Sequence, residues 1–256
     1  MDPNLIIGTG IDVYNSLPGS TQEALLNPAA KTLGEALDGA ATVICSPLLM
    51  LGTVSKVLLH KFSTEINQKI NGIPQSNRDT SKLGLVIKAM EEARYQLTED
   101  DVRSMYVNLI ASTVDSRKNS VVNPRLATVV AQFGIKEAHI MKKLAQSESK
   151  LLLTSQLWEI DGSSDYWITP RFLSIDNELT SEYASSIDTL KSLGVVDDFP
   201  DRVLTETKYK EEYSDMEKYI KGLNQLFRHQ EKTTRFKNGY IKLSNFGNDL
   251  ARCIFE

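Results

Sequence analysis

Apolar residues recur at helical spacing through most of the first 148 residues of the chain. The clearest stripe belongs to a helix that Thr98 is predicted to cap, with Asp101 completing a variant of the capping box. Its positions are Val102, Met105, Tyr106, Leu109, Ile110 and Thr113. Similar stripes predict further helices over 57–70, 83–95, 123–134 and 136–145. The pattern therefore predicts an N-terminal helical bundle over residues 1–148.

One segment of this half carries no charge at all. Seventeen consecutive residues, Gly39 to Ser55, contain no Asp, Glu, Lys or Arg. That length is at the lower limit of the roughly 17–25 apolar residues that a membrane-spanning helix needs, so we do not expect a resident transmembrane anchor. Pro47 removes a helical N–H and its ring clashes with the preceding turn, which predicts two half-helices bent at Ser46-Pro47.

Two interpretations of this segment are open. It is either a buried helical hairpin of the bundle core, or a membrane-active element covering residues 39–59 that the bundle conceals until a trigger frees it. Burial in the resting state is compatible with both interpretations. The residues predicted to be membrane-active are Val43, Ile44, Pro47, Leu48, Leu49, Met50 and Leu51.

After Ser149 the pattern changes to short stretches rich in apolar and β-branched residues. Two strands are predicted over 151–161 and 165–172, around a turn at 162–164, and helices are predicted over 179–193 and 206–228. Asn238-Gly239 then predicts a type I′ hairpin, and Ser244 is predicted to cap a last helix. Helix, helix, hairpin is the outline of a winged helix. The predicted fold class is therefore mainly α with small β content: a helical N-terminal bundle plus a winged-helix-like α+β module over residues 149–256.

The balance of charge limits the partners that this chain can bind. With 256 residues, 41% hydrophobic and 24% charged, it has the composition of a folded globular protein. A net charge of -4 gives no overall attraction to phosphate backbones, so nucleic acid would need a local basic surface. The candidate binding surface is the wing, which is the hairpin predicted around Asn238-Gly239. It could bind nucleic acid, but the sequence gives more support to a protein partner. Its candidate contact residues are Arg235, Lys237, Tyr240 and Lys242, with Lys232 close by.

The sequence contains no pattern typical of catalysis. Gly8-Thr9-Gly10 lacks the third glycine and the βαβ unit of a dinucleotide fingerprint. His60, His139 and His229 lie in separate predicted helices, without neighbouring ligands at metal-binding spacing. We therefore expect a protein that is not an enzyme and that uses no cofactor and no metal.

The two cysteines indicate a reducing compartment. Cys45 and Cys253 are far apart and flanked by apolar residues, which is typical of buried thiols. The N-terminal residues include an acid and lack the basic and apolar regions of a signal peptide. A cytoplasmic protein is therefore predicted.

Several stretches share the pattern of a known family. They are NPAAKTLGEALDG (Asn27 to Gly39), YVNLIASTVDSRKNSVVNPRLATVVAQF (Tyr106 to Phe133) followed by KEAHIMKKL, and LSNFGNDLARC (Leu243 to Cys253). In these stretches the chain resembles the Abi-alpha family of bacterial abortive-infection proteins. The resemblance implies an anti-phage defence protein whose host cell dies or stops growing before the phage matures. It assigns no functional role to any residue.

These observations lead to one hypothesis and two alternatives. The leading hypothesis is a cytoplasmic anti-phage effector that senses a phage component, forms a homo-oligomer on activation and disrupts the inner membrane. The main alternative, from another class, is a winged-helix nucleic-acid-binding regulator or DNA-directed toxin. A third interpretation is an assembly or scaffold protein that has no toxicity of its own.

Overall fold

The computed structural model describes residues 15, 17–19, 21–22, 30–52, 54–161, 164–225 and 233–256. Within these residues the chain is mainly α-helical, with helices in the N-terminal part and an antiparallel sheet with helices in the C-terminal part. The predicted fold class is confirmed at this level. The chain divides into two compact units: one runs to Ile135 and includes Asp249–Glu256, and the other is Lys136–Asn248. The functional boundary predicted at residue 148 stays a prediction.

The first unit is built from helices. They are α1 (Ala30–Met50), α2 (Lys56–Asn71), α3 (Leu83–Ala93), α4 (Asp100–Thr113) and α5 (Arg125–Val130). α4 is central, because it packs against α2, α3 and α5. The apolar stripe predicted for α4 is buried throughout, and Tyr106 and Ile110 are completely inaccessible to solvent.

The caps of these helices agree only in part with the prediction. α4 begins at Asp100 with Glu99 as its N-cap, so the capping box predicted at Thr98 is wrong. The backbone carbonyl of Glu99 accepts from the N–H of Arg103 at 2.8 Å, which starts the helix one residue later than expected. Asn123 Oδ1 accepts from the N–H of Arg125 at 3.0 Å, as a capping side chain does, but α5 begins only at Arg125 with Pro124 at its N-cap position.

An antiparallel sheet forms the centre of the second unit. Its strands are β1 (Leu151–Asp161), β2 (Ser164–Trp167), β3 (Phe172–Ile175), β4 (Glu178–Thr180), β5 (Val196–Phe199) and β6 (Thr234–Leu243). Their order is β4-β3-β1-β6-β5, and β2 also pairs with β1. The helices that follow α5 are α6 (Ile135–Gln146), α7 (Ala184–Ser192), α8 (Thr207–Gln225) and α9 (Asn245–Ile254). The strand predicted over 151–161 is confirmed, whereas the one predicted over 165–172 ends at Trp167, and β3 starts at Phe172. Ser164, predicted in the turn, belongs to β2, and Gly162 and Ser163 lie outside the described residues.

The hairpin predicted at Asn238-Gly239 is wrong. Both residues lie inside β6 and pair with β1. The side chain of Asn238 accepts from Ser155 Oγ at 2.7 Å and donates to Glu217 Oε1 at 2.7 Å. The glycine is required for space rather than for a turn, since a Cβ there would lie 2.1 Å from the carbonyl oxygen of Phe199. Tertiary contacts therefore keep these two residues extended.

The turn with positive φ values occurs elsewhere in the sheet. Asp176 and Asn177 have φ values of +55° and +61°, and they connect β3 to β4 as a two-residue hairpin loop. Because residues 178–180 join the sheet, the helix predicted over 179–193 starts only at Ala184. The predicted stop at Gly194 is confirmed by its φ of +71°.

Gly239→Ala is expected to destabilise the protein by about 1–3 kcal/mol, the usual cost of overpacking. The new Cβ would meet backbone atoms of Phe199 and Pro200 at 2.1 and 2.7 Å, and these cannot rotate away. Gly222→Ala in α8 is the matched control, because its Cβ would have no neighbour within 4 Å and alanine favours the helix by about 1 kcal/mol. Thermal unfolding followed by circular dichroism should shift in opposite directions for the two variants. An unchanged melting temperature for Gly239→Ala would contradict this packing.

Candidate membrane-active hairpin

α1 runs without interruption through Pro47, so the predicted division into two half-helices is wrong. Pro47 lies in the last turn of α1, and it lacks the N–H that would bond to the carbonyl of Val43. The hydroxyl of Ser46 donates to that carbonyl oxygen at 2.9 Å. Because a side chain replaces the missing hydrogen bond, the helix continues to Met50.

One side of α1 belongs to the core of the first unit. Leu37, Ala40, Ala41, Ile44 and Cys45 are each at most 3% exposed, and their spacing is that of a single helical face. α1 packs against α2 and α3. Burial raises the pKa of the Cys45 thiol to about 11, an effect that a nearby arginine charge only partly offsets. This side of α1 is therefore shielded from water in the resting state.

The junction between α1 and α2 exposes three large apolar side chains. Met50 is 79% exposed, Leu51 is 74% exposed and Val57 is 79% exposed. Gly52, with a φ of +71°, ends α1, and the Ser55 hydroxyl caps α2 by accepting a first-turn N–H at 3.1 Å. The two packed helices thus form a helical hairpin that presents these apolar residues at its turn. We call Met50, Leu51 and Val57 the tip.

The seven residues predicted to be membrane-active differ in their exposure. Ile44 is buried, Val43, Leu48 and Leu49 are half-buried, and Pro47, Met50 and Leu51 are exposed. The structure therefore buries one side of the charge-free segment and exposes Met50 and Leu51 near its C-terminal end, while Val54 is buried. Among the residues that the structure describes, no helix combines the length and the apolar character that crossing a membrane requires.

Basic side chains adjoin the tip. Lys56 and His60 are exposed on the first turns of α2, and Lys61 forms a solvent-exposed ion pair with Asp100 at 3.2 Å. Exposed apolar residues beside cations are typical of protein surfaces that insert shallowly into anionic bilayers. The tip and its neighbours have this composition.

Arg103 ties the α2 half of the hairpin to α4. Its side chain is buried, donates to the carbonyl of Leu97 at 2.8 Å and pairs with Glu65 of α2 at 3.3 Å, while also contacting Asp100. Hydrogen bonds from Arg103 and then Lys61 hold the pKa of the Asp100 carboxyl below its ordinary value. Two of these ion pairs, Arg103–Glu65 and Lys61–Asp100, join α2 to α4 in addition to apolar packing.

Residues 55–254 match the family model described as abortive infection alpha. This chain belongs to that family. The match confirms the resemblance seen in the sequence, and it indicates a role in abortive-infection defence. The matched region begins at Ser55, the cap of α2, so it includes α2 and leaves α1 outside. Apart from Ser55, the charge-free segment lies outside the matched residues.

A solved structure, that of an uncharacterized protein from the hydrocarbon-degrading marine bacterium Alcanivorax borkumensis SK2, is similar to part of the chain. The two are 14% identical with a TM-score of 0.33, and the similarity covers 53% of this chain and 92% of the other. Similarity at this level carries no conclusion about function. A search of curated proteins finds no match to this chain.

The wing predicted for this abortive infection alpha protein is wrong, because residues 234–243 form one continuous strand. Side chains alternate along β6, so Arg235 and Lys237 point to one face of the sheet and Tyr240 and Lys242 to the other. Tyr240 stacks on Phe199 with 4.9 Å between the ring centroids, and Lys242 lies over the same ring. The four candidate contact residues therefore do not form a single basic surface.

The predicted absence of cofactors and metals is not tested by these residues. Within the described ranges, no group of three or more His, Cys, Asp and Glu side chains could hold a metal ion. His60 and His139 lie on different helices, α2 and α6. Gly8-Thr9-Gly10, His229 and Lys232 lie outside the described residues. That the protein is not an enzyme stays a prediction.

Val57 lies within the predicted element 39–59, but it is not among the seven residues that the sequence singled out. The buried stripe of α2 contains Leu59, Phe62, Ile66 and Ile70. Val57 precedes this stripe and does not continue it at helical spacing. An apolar residue off the stripe, next to a charge-free segment, is the signal that would have identified it.

Proposed function

We propose that this protein is an abortive-infection effector that rests in the cytoplasm, responds to a phage component, and then oligomerises and damages the inner membrane. The observation that best supports this proposal is the tip, where large apolar side chains are exposed beside Lys56 on a helix whose other side is buried. Clustered exposed apolar residues mark sites of interaction. Membrane damage is one way in which an abortive-infection protein can stop its host cell.

The buried side of α1 holds the effector in its resting state. Fully burying a Leu or Ile side chain contributes about 1.5–3 kcal/mol. Leu37 and Ile44, at 1% and 3% exposed, together contribute roughly 3–6 kcal/mol to keeping α1 in the core. The loss of this burial therefore disfavours release of α1 in the absence of a trigger.

On activation, the tip is the part that enters lipid first. It is already exposed, so its insertion does not require any core residue to leave its site. The apolar side of α1 would follow, because the bilayer offers that side the apolar surroundings that the core provides at rest. Lys56 near an anionic headgroup surface would add about 1 kcal/mol. α2 remains tied to α4 through Arg103 during this movement.

The two cysteines provide a test. Cys45 lies on α1 and is 1% exposed, and Cys253 lies on α9 and is completely buried. Burial raises the pKa of each thiol to about 11, so both are protonated and shielded near neutral pH. The full-length protein is treated with a maleimide in the presence of anionic vesicles and extract from phage-infected cells. We expect labelling of Cys45 to accelerate at least about tenfold while Cys253 stays protected.

Extract from uninfected cells and vesicles of neutral lipid are the controls, and Cys45→Ser verifies which thiol is labelled. Equal acceleration at both cysteines would indicate general unfolding. Unchanged labelling of Cys45 would show that α1 stays in the core. Either result contradicts the proposed release of α1.

A further inference from the structure

Both tryptophans of the chain lie on one face of the sheet in the second unit. Trp158 of β1 is directly opposite Trp167 of β2 on one side and Arg235 of β6 on the other. Directly opposed residues in neighbouring antiparallel strands share a face, so these three side chains are neighbours. Lys237 lies over the Trp158 ring, 3.4 Å from its centroid. We call Trp158, Trp167, Arg235 and Lys237 the tryptophan face.

Trp167 and Arg235 are the solvent-exposed members of the tryptophan face, whereas Trp158 is half-buried and the Lys237 side chain is 16% exposed. The face carries more positive than negative charge. Trp167 is 63% exposed, and the side chain of Arg235 is 55% exposed. One carboxylate, that of Asp165, serves two cations, at 3.4 Å from Arg235 and 3.8 Å from Lys237. Trp and Arg are the residue types that carry most of the energy at protein interfaces. This face therefore has the composition of an interface that is not yet occupied.

A second surface of the same unit has the opposite charge. α8 and the β3–β4 hairpin border a cleft of about 740 Å³, which we call the acidic cleft. Asp215 pairs there with Lys218 at 2.9 Å, but both side chains are more than 70% exposed, so this pair is weak. Besides two uncharged polar residues, the lining contains three apolar or aromatic residues and three carboxylates: Leu179, Met216, Tyr219, Glu178, Glu212 and Asp215.

One copy cannot place its tryptophan face in its own acidic cleft. Leu157, the neighbour of Trp158 in β1, packs in a cluster with Ile220 of α8. Because side chains alternate along a strand, Trp158 points away from α8. The acidic cleft is lined by α8, on the other side of the sheet. The two complementary surfaces are therefore free to meet only between different copies.

We propose that the chain associates with itself head to tail, with the tryptophan face of one copy seated in the acidic cleft of the next. Trp167 would cover the apolar residues of the cleft, and Arg235 would form charge-assisted hydrogen bonds with its carboxylates. The two surfaces differ, so the contact does not close on a two-fold axis and extends to a ring or a chain of copies. This assembly would gather several tips and so deepens the proposed function, on which its purpose rests.

Trp167 and Arg235 are already exposed before activation, so raising the protein concentration should drive the same contact that activation favours in the cell. Sedimentation velocity of the full-length protein, without lipid or phage, therefore tests this association independently of membrane damage. We expect the sedimentation coefficient to rise with protein concentration and to fall when salt screens the charges. Tryptophan emission should shift to shorter wavelength as association buries the face, because both tryptophans of the chain belong to it. Arg235→Glu and Asp215→Arg should each weaken association at least about tenfold.

Mixing the two variants gives the sharpest result. In an equimolar mixture the unaltered tryptophan face of Asp215→Arg can meet the unaltered acidic cleft of Arg235→Glu, so association should return. Lys210→Glu is the control, because it reverses an exposed charge of α8 outside both surfaces and should associate like the natural protein.

Three results would overturn the inference. The protein could sediment as a monomer at every concentration, its association could be insensitive to both reversals, or mixing could fail to restore it. A fourth would identify another occupant: quenching of tryptophan emission by a single-stranded oligonucleotide while the protein stays monomeric. If association follows the expected pattern but Cys45 remains protected on vesicles, the contact stands and the membrane proposal falls.

Discussion

Replacing Met50 and Leu51 together with Asp abolishes protection against phage while the protein still folds, and this is the largest functional effect that we expect. Both side chains are more than 70% exposed, so the change in stability should stay within about 0.5 kcal/mol per site. Moving each Asp side chain from water into the lipid costs up to about 3 kcal/mol, so the equilibrium for inserting the tip should be weakened at least tenfold. Bacteria that express the protein are challenged with phage, and entry of a membrane-impermeant dye is followed before normal lysis.

The control for this experiment is Ile135→Asp. Ile135 is 61% exposed, and it is the first residue of α6, where the helix dipole favours a carboxylate. This variant should protect cells and admit dye as the natural protein does. Leu49 is a poorer site for the test, because it is half-buried and its replacement would also loosen the core. If the folded Met50/Leu51 variant kills cells as well as the natural protein does, the proposed membrane insertion is wrong.

Ala40→Leu should have the opposite effect and make the protein toxic without phage. Ala40 is completely buried in the packed side of α1, and overpacking at such a site costs about 1–3 kcal/mol. This cost falls on the resting state, so the released form of α1 should rise roughly 5- to 150-fold. Growth after induction, without phage, measures toxicity, and maleimide labelling of Cys45 measures release.

Thr42→Leu is the matched control for this second prediction. Thr42 is exposed on the same helix, so the substitution adds the same apolar side chain without overpacking. Growth and Cys45 labelling should both stay normal. Adding the Met50 and Leu51 replacements to Ala40→Leu should remove toxicity and leave Cys45 labelling fast. If Ala40→Leu accelerates labelling without toxicity, release of α1 is not the step that harms the cell.

The helices of the first unit could be predicted wherever a long apolar stripe was present. The stripe of α4 is an example, because all six of its positions are buried as the spacing requires. Its starting residue was less predictable, since Thr98 and Glu99 both precede an acidic first turn and a one-residue shift preserves the buried face.

Two short polar motifs could not be interpreted from their own sequence. Asn238-Gly239 has the composition of a turn, yet it is extended because its neighbours bond the asparagine and leave no room for a Cβ at the glycine. Asp176-Asn177 was not predicted to be a turn, yet it forms the tight connection between β3 and β4. A turn motif shows that the backbone can adopt positive φ values at those residues. Whether it does so depends on the strands that surround the motif.

The sequence also predicted only part of the candidate site. The absence of charge from Gly39 to Ser55 singled out Met50 and Leu51, because no packing pattern is needed to see it. Which side of α1 is buried depended on the positions of α2 and α3, and so did the exposure of Val57. The continuation of the helix through Pro47 depended on a hydrogen bond from Ser46.

By itself, the sequence determined the helical first half, the change to strands after residue 149, the family and the location of the charge-free segment. The family follows from the resemblance of the quoted stretches and from the matched residues, and the other properties follow from local periodicity and composition. Only the tertiary structure decided that this segment has one buried side and an exposed tip, and that both tryptophans share one face with Arg235. Which side chains are exposed, and which lie next to each other, depends on how the helices and strands pack. That packing brings together residues that are far apart in the sequence, so local sequence patterns do not predict it.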